Sequence, residues 1–178
     1  MIPSDAINKL IRDTVNLLLS SPGYTIKAKQ KDAPRPIGAY ADVDVMLDTA
    51  VGWEEHTLTD NIDDPDITET IRGYRKLMIS LNFYRDNAYD NARKVKIGLV
   101  RESIQSLFSA AGLGLLTRSD VREIDEPLEN GWEERSQFDI VLSTVSTDTD
   151  IIRSIQVLNI EGEYQARGLV YNFNIEVQ

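Results

Sequence analysis

The chain contains no cysteine. That one absence removes disulfide frameworks, Cys-ligated zinc, iron-sulfur clusters and thiol nucleophiles, and it suits a reducing compartment without requiring one. Histidine occurs once, as His56, so a Ser-His-Asp triad would have a single base to draw on. No Gly-x-Ser-x-Gly elbow accompanies it, and among Glu54, Glu55 and Asp60 it reads as a solvated histidine. There is no Gly-x-x-x-x-Gly-Lys loop. Gly112-Leu113-Gly114 has no basic neighbour and reads as the stop of a helix, so nucleotide chemistry has no visible support. Apolar runs of the ~18 residues needed to cross a membrane are also missing. Near the N-terminus, Lys9, Arg12 and Asp13 break up the stretch that a signal peptide would need to keep apolar.

What is present fits one globular domain, or one domain with an extended arm. Of 178 residues, 42% are hydrophobic and 27% charged, and a chain of this length buries roughly 70% of its unfolded surface, enough for a core without staples. Acids outnumber bases 29 to 19, giving a formal charge of -10. Bulk attraction to nucleic acid or to an anionic membrane is therefore disfavoured.

The acids concentrate in Asp60-Asn61-Ile62-Asp63-Asp64-Pro65-Asp66. These are enough carboxylates for a hard cation, but the central glycine and terminal glutamate of a calcium loop are lacking, so no metal or other cofactor is expected. A nuclease reading of Asp66 and Glu69 would want lysine where Ile71 stands. Trp53 and Trp132 read as packing residues or interface anchors.

Periodicity supplies the elements. Ile7, Leu10, Ile11, Val15 and Leu18 recur at helical spacing after Ser4, a candidate cap, and Asp5, which suits the positive helix end. Ser20-Ser21-Pro22-Gly23 ends this first helix. Residues 24–29 suit a short strand, and Lys31 to Gly38, with Pro34 and Pro36, is a stiff connector. Ala41, Val43, Val45 and Leu47 alternate with polar or exposed positions as in a half-buried strand. Residues 51–70 read as a long acidic loop or a hairpin with a mobile tip.

Leu77, Ile79, Leu81 and Phe83 mark a long strand that ends at an Asp86-Asn87 turn. From residue 90 to 111 the period becomes helical, with Ile97, Val100, Ile104, Leu107, Phe108 and Ala111 predicted to share a core face. A polar segment containing Pro127 and Asn130-Gly131 precedes three strand-like runs at 138–145, 152–160 and 169–177. Lacking regular strand-helix alternation, the order predicts an α+β fold: a largely antiparallel or mixed sheet packed by two main helices.

Charge is polarised along the chain. Between Arg35 and Arg72 there are only acids, whereas Arg72, Arg75, Lys76, Arg85, Arg93, Lys94, Lys96 and Arg101 face only Asp86 and Asp90 across 72–101. Two solvated faces would explain this. So would self-complementarity, in which an acidic patch on one subunit meets a basic patch on the next, a heterologous contact that closes into a ring if the rotation permits.

Two stretches carry a resemblance. Gln30-Lys31-Asp32-Ala33-Pro34-Arg35-Pro36-Ile37-Gly38-Ala39-Tyr40-Ala41 leads into the alternating strand, and Trp132-Glu133-Glu134-Arg135-Ser136-Gln137-Phe138-Asp139 leads into an apolar one. In this order, around a central helix and after an amphipathic one, the chain resembles the neck or tail terminator proteins of tailed phages over almost its whole length, residues 1–178. The resemblance implies a single α+β domain and a structural, non-enzymatic role in the virion, assembled in the host cytoplasm. It implies a homohexameric ring that caps the tail tube, joins it to the head-side connector or portal-side neck proteins and, in a tail that has one, meets the sheath protein. Genomic DNA would pass through without specific binding, and no membrane is involved.

On that reading Arg35, Arg93, Lys94, Lys96 and Arg135 are candidates for the subunit interface, although an intrachain pair competes for Arg135. Glu54, Glu55, Asp60, Asp63, Asp64 and Asp66 are candidates for the channel wall or for contact with a neighbouring ring, since carboxylates there would keep the duplex mobile. An outward, solvated loop explains them equally. From a different class, an acidic protein of this size could be a DNA mimic that inhibits a nucleic-acid-binding enzyme. The basic residues of 72–101 argue against that uniformly DNA-like surface, and a hydrolase built on the aspartates has least support.

Overall fold

The computed structural model describes residues 3–31, 34–60, 66–128, 131–153, 158–166 and 169–177. It is α+β and divides into two compact units, Met1–Glu54 with Arg72–Ser146, and Glu55–Ile71 with Thr147–Gln178.

The first unit opens with α1, Ser4–Leu19, whose buried stripe is Ile7, Asn8, Ile11, Thr14, Val15 and Leu18. Ser4 is not the cap. Pro3 holds that position with extended backbone, and its carbonyl accepts the N–H groups of Ala6 and Ile7 at 3.0 and 3.2 Å. Proline itself fixes the entry, so no hydroxyl is needed. Asp5 pairs with Lys27 at 2.7 Å, and this hydrogen bond lowers its pKa.

The main sheet runs β1 (Thr25–Lys27), β2 (Tyr40–Asp60), β3 (Asp66–Tyr84), β8 (Arg135–Arg153) and β4 (Gly114–Arg118), with β5 (Arg122–Glu123) also on β8. Thr25 lies opposite Ala41 in a parallel pair, whereas β4 and β5 are antiparallel to β8. Asn82 reaches Asp42 and Arg75 reaches Asp48, so partners step in opposite directions along β2 and β3, as antiparallel strands require. Gln137–Ser80 and Ser146–Gly73 show the same for β8 and β3.

Helices cover one face of this sheet. Val43, Ile79, Leu81, Phe83, Phe138, Ile140 and Leu142 are wholly enclosed, together with Ile11, Val15, Phe108 and Leu99. The rings of Phe83 and Phe138 stack 5.9 Å apart at the centre.

The predicted helix over 90–111 is two helices, α2 (Ala88–Gly98) and α3 (Glu102–Ala110). The break corrects the core face: Ile97, Val100 and Leu107 are 59, 52 and 44% exposed, while Ile104 and Phe108 are buried. On α2 the inward residues are Ala88, Ala92, Val95 and Gly98. They are small because α1 lies close: a Cβ on Gly98 would stand 2.5 Å from Leu18 Cδ2. Large apolar residues mark the wrong stripe wherever the core side is built from alanine and glycine.

Gly112 does stop α3. It takes φ +70°, and the N–H groups of Gly112 and Leu113 return to the carbonyls of Ser109 and Phe108, both at 2.9 Å.

In the segment read as an acidic loop or hairpin, residues 51–60 and 66–70 are strand. Of the run predicted over 152–160, residues 152–153 lie in β8 and 158–160 in β9, and residues 154–157 lie outside the described set. In the second unit β9 (Leu158–Ala166) pairs antiparallel with β10 (Leu169–Val177), Leu169 opposite Ala166 and Val177 opposite Leu158. The last predicted strand thus coincides with β10.

The polar segment with Pro127 forms a small ladder, β6 (Glu126–Leu128) antiparallel to β7 (Gly131–Glu133). No described helix is long and apolar enough to cross a membrane.

Candidate functional site

The two stretches that carry the resemblance meet in space. The connector Pro34 to Gly38 enters β2 at Tyr40, β3 ends at Tyr84, and the β7–β8 junction supplies Glu133, Glu134 and Arg135. Tyr40 and Tyr84 lie on adjacent strands, and their rings stack with centroids 4.5 Å apart. The Arg85 guanidinium lies 5.8 Å over Tyr40 and that of Arg135 lies 5.3 Å over Tyr84, so both phenols also face a cation.

Glu133 fastens these segments together. Its side chain is only 2% exposed, and its two carboxylate oxygens accept from different arginines: Arg35 Nη1 at 3.0 Å and Arg85 Nε at 2.7 Å. Arg85 Nη1 also donates to the Pro36 carbonyl at 2.7 Å, fixing the connector from a second side. Glu134 joins in: its backbone carbonyl accepts the Arg85 N–H at 2.9 Å, and its carboxylate accepts the Asn87 N–H at 3.1 Å. Arg85, Asp86 and Asn87 all hold positive φ, of 59, 30 and 64°. Consecutive non-glycine residues in that region are strained. The two bonds to Glu134 help hold them there.

A second chain of bonds runs beneath. Arg135 pairs with Glu126 and donates to Asn82 Oδ1 at 3.3 Å. Asn82 Nδ2 donates to Asp42 Oδ1 at 2.8 Å, and the Tyr84 hydroxyl donates to Asp42 Oδ2 at 3.1 Å. Burial raises the pKa of Asp42 against the pull of those two donors. Burial, with the nearby Asp42 charge, pushes the Tyr84 phenol far up, and burial raises Tyr40 too. Both phenols thus stay protonated at neutral pH, Tyr84 as a donor to Asp42. Arg135 Nε is buried without a hydrogen-bond partner, against the Tyr84 ring.

The sequence residues are therefore placed as follows. Arg35 and Arg135 are both engaged within their own chain, by Glu133 and Glu126. Lys96 pairs with Asp120 at 2.9 Å, and its carbonyl accepts from Arg118. Arg93 and Lys94 are exposed on α2 with no partner among the described residues. Glu54, Glu55 and Asp60 are exposed on β2, Asp66 is half-buried, and Asp63 and Asp64 lie outside the described residues. His56 is exposed on β2 rather than in a loop, its Nδ1 2.8 Å from Glu69 Oε1. No grouping of three or more His, Asp or Glu suited to a metal ion occurs among the described residues.

Sequence reasoning did not single out Arg85, Asn82, Tyr84 or Asp42, and took Glu133 only as a neighbour of Arg135. Arg35 and Glu133 are 98 residues apart, and no local period connects such positions.

A carboxylate held between two guanidiniums is poorly placed to act as a base, and phenols kept protonated are poor nucleophiles. What the network defines is a structural domain in which the connector and two strand ends are locked in one geometry, with Ile37 and Trp132 displayed beside it at 103 and 74% exposure. The model of the phage neck terminator protein family matches residues 5–166, and the chain belongs to that family. It is accordingly a structural protein of the phage neck, a tail terminator of the virion. A comparison with curated proteins found no match.

Proposed function

We propose that the chain assembles as a homohexameric ring that ends growth of the tail tube and joins it to the head-side connector, with no catalytic activity of its own. The family match over 5–166 carries this reading. The clamp around Glu133 supports it, because a ring subunit must present its contact surfaces in a fixed geometry, and ion pairs between distant segments limit how those surfaces move. Partners of the ring are the tail tube protein and the portal-side neck proteins, and in a sheathed tail the sheath protein. DNA passes through without specific binding, in keeping with the net charge of -10.

Electron microscopy of particles made without this protein tests the reading directly. Tubes of uncontrolled length, unattached to heads, are expected, with normal tails restored when the full chain is supplied. Tails of normal length that join heads in its absence would refute it.

A further inference from the structure

The outward stripe of α2 changes character from one end to the other. Tyr89, Arg93 and Ile97 recur every fourth residue and stand one above another, and Val100 and Arg101 continue the stripe at the break before α3. Tyr89, Ile97 and Val100 are 41, 59 and 52% exposed. Arg93 and Arg101 are exposed as well, and neither guanidinium has a partner among the described residues. The far end of the stripe is thus apolar and positive.

The near end carries the opposite charge. Tyr89 and Asp90 border a cleft of about 300 Å³ whose other walls include Glu123, Asp125 and Glu134, and none of its described lining residues is basic. Asp125 and Glu134 accept the N–H groups of Arg135 and Asn87, and Asp90 complements the positive end of α2. Glu123 is exposed with no side-chain partner among the described residues. The chain leading to it is held along α2, because Asp120 pairs with Lys96 at 2.9 Å and Arg118 donates to the Lys96 carbonyl. Cleft and stripe therefore form one surface of the first unit, acidic at the start of α2, apolar along it and basic at its end.

We propose that this surface pairs with the same surface of a second copy about a two-fold axis, with the two α2 helices antiparallel. Arg101 of each copy then meets Tyr89, Asp90 and Glu123 of the other, and Ile97 and Val100 are covered in part by the alkyl stem of the Arg93 opposite. Both ends lie on one face, so a copy that covers them has turned its own face inward, and the antiparallel arrangement satisfies both ends at once. Parallel pairing would set Arg101 against Arg101 and Glu123 against Glu123. A contact of this kind is isologous, whereas the contacts within a ring are heterologous. It is additional to the ring and does not rest on it.

Two full-length variants, R101E and E123R, test this by sedimentation velocity with light scattering over a range of concentration, and circular dichroism checks that each folds. The unaltered chain is expected to form a species that loses half its mass on dilution, whether a dimer becoming a monomer or a pair of rings becoming single rings. Either variant alone should need at least about tenfold higher concentration to pair, because two attractions become two repulsions in each contact. An equal mixture of the two restores pairing, since one copy then has both ends acidic and the other both ends basic. A single chain carrying R101E and E123R together is restored as well.

An unaltered chain that shows no halving of mass up to about 1 mM, the weak end of specific association, would overturn the proposal and leave the ring reading untouched. So would pairing that neither variant weakens, or failure of both the mixture and the doubly substituted chain to restore it. Loss of the ring itself in R101E would place Arg101 in the ring contact and overturn the two-fold geometry, while the ring reading would stand.

Discussion

The inner and outer parts of strand β2 differ although both are strand. Ala41 and Val43 are completely enclosed, whereas every side chain from Met46 to Asp60 is exposed, Trp53 and Leu58 among them. A strand in a sheet covered on one side hides alternate residues. The outer part hides neither set, and what its side chains make within the chain is exposed pairing, Asp48 with Arg75 and His56 with Glu69. Large apolar side chains left this way mark an interaction surface. The inner part belongs to the buried core, and the outer part leaves Trp53 and Leu58 uncovered.

The largest expected effect sharpens the core side of this comparison. Phe108 is wholly buried on α3 and Leu107, its neighbour, is 44% exposed. Phe108→Ala should lose about 3 to 5 kcal/mol through lost burial and the cavity left behind. Leu107→Ala should lose less than about 1 kcal/mol, in keeping with a surface position. Chemical denaturation measures both, and equal losses would mean that α3 faces the core differently.

Next in size comes the clamp. Glu133→Gln keeps the shape but removes the charge that Arg35 and Arg85 share. Glu133 is 2% exposed while those arginines are 60 and 33% exposed, so water partly compensates them and the loss should be about 1 to 3 kcal/mol rather than that of a fully buried pair. A double-mutant cycle with Arg35→Ala reads the coupling. No loss and no coupling would make the clamp incidental to the stability of the inner region.

Much of this inner region was legible in the sequence. The α1 stripe, the strands β2 and β3 and the Gly112 stop follow from local periods and caps and are where the structure has them. The inward face of β2 nevertheless ends before Leu47, which is 53% exposed, and β3 is buried on both faces from Ile79 to Tyr84 because helices cover one and polar networks the other. The α2 face was not legible, because Ala88, Ala92 and Gly98 pack by being small and leave no apolar signal. Of the clamp, both halves stood out as motifs, yet their meeting did not. Arg35, Arg85 and Glu133 come together only when the sheet brings β2, β3 and β8 side by side, and single-sequence spacing carries no register between distant strands.

Asp42 gives a smaller effect, read as a slope in pH. Burial raises its pKa above the ordinary 3.8, so protonation favours the folded state. The resulting stability is complete below the unfolded value and is lost as pH rises through the higher folded value. Asp42→Asn cannot titrate. The unaltered protein should therefore lose ground relative to this variant as pH climbs from below 3.8, and the gap should then level off. Denaturation midpoints for the pair across that range check the sign, and a gap that grows in the opposite direction would mean that hydrogen bonds from Asn82 and Tyr84 outweigh burial.

The smallest stability effect belongs to the outer strand, and it bears most directly on the comparison. Leu58 is 62% exposed, so replacing it with serine removes little buried area from the isolated subunit. Leu58→Ser should shift folding stability by no more than about 0.5 kcal/mol, as surface changes away from caps, cores and strained backbone do. On the ring reading proposed above, the same substitution should weaken self-association, because Leu58 is an apolar side chain that its own subunit leaves uncovered. Thermal melting of the dilute subunit and light scattering at high concentration separate the two readouts. A large drop in melting temperature with association unchanged would place Leu58 in the subunit's own packing, and the distinction between an enclosed inner strand and an uncovered outer one would no longer hold.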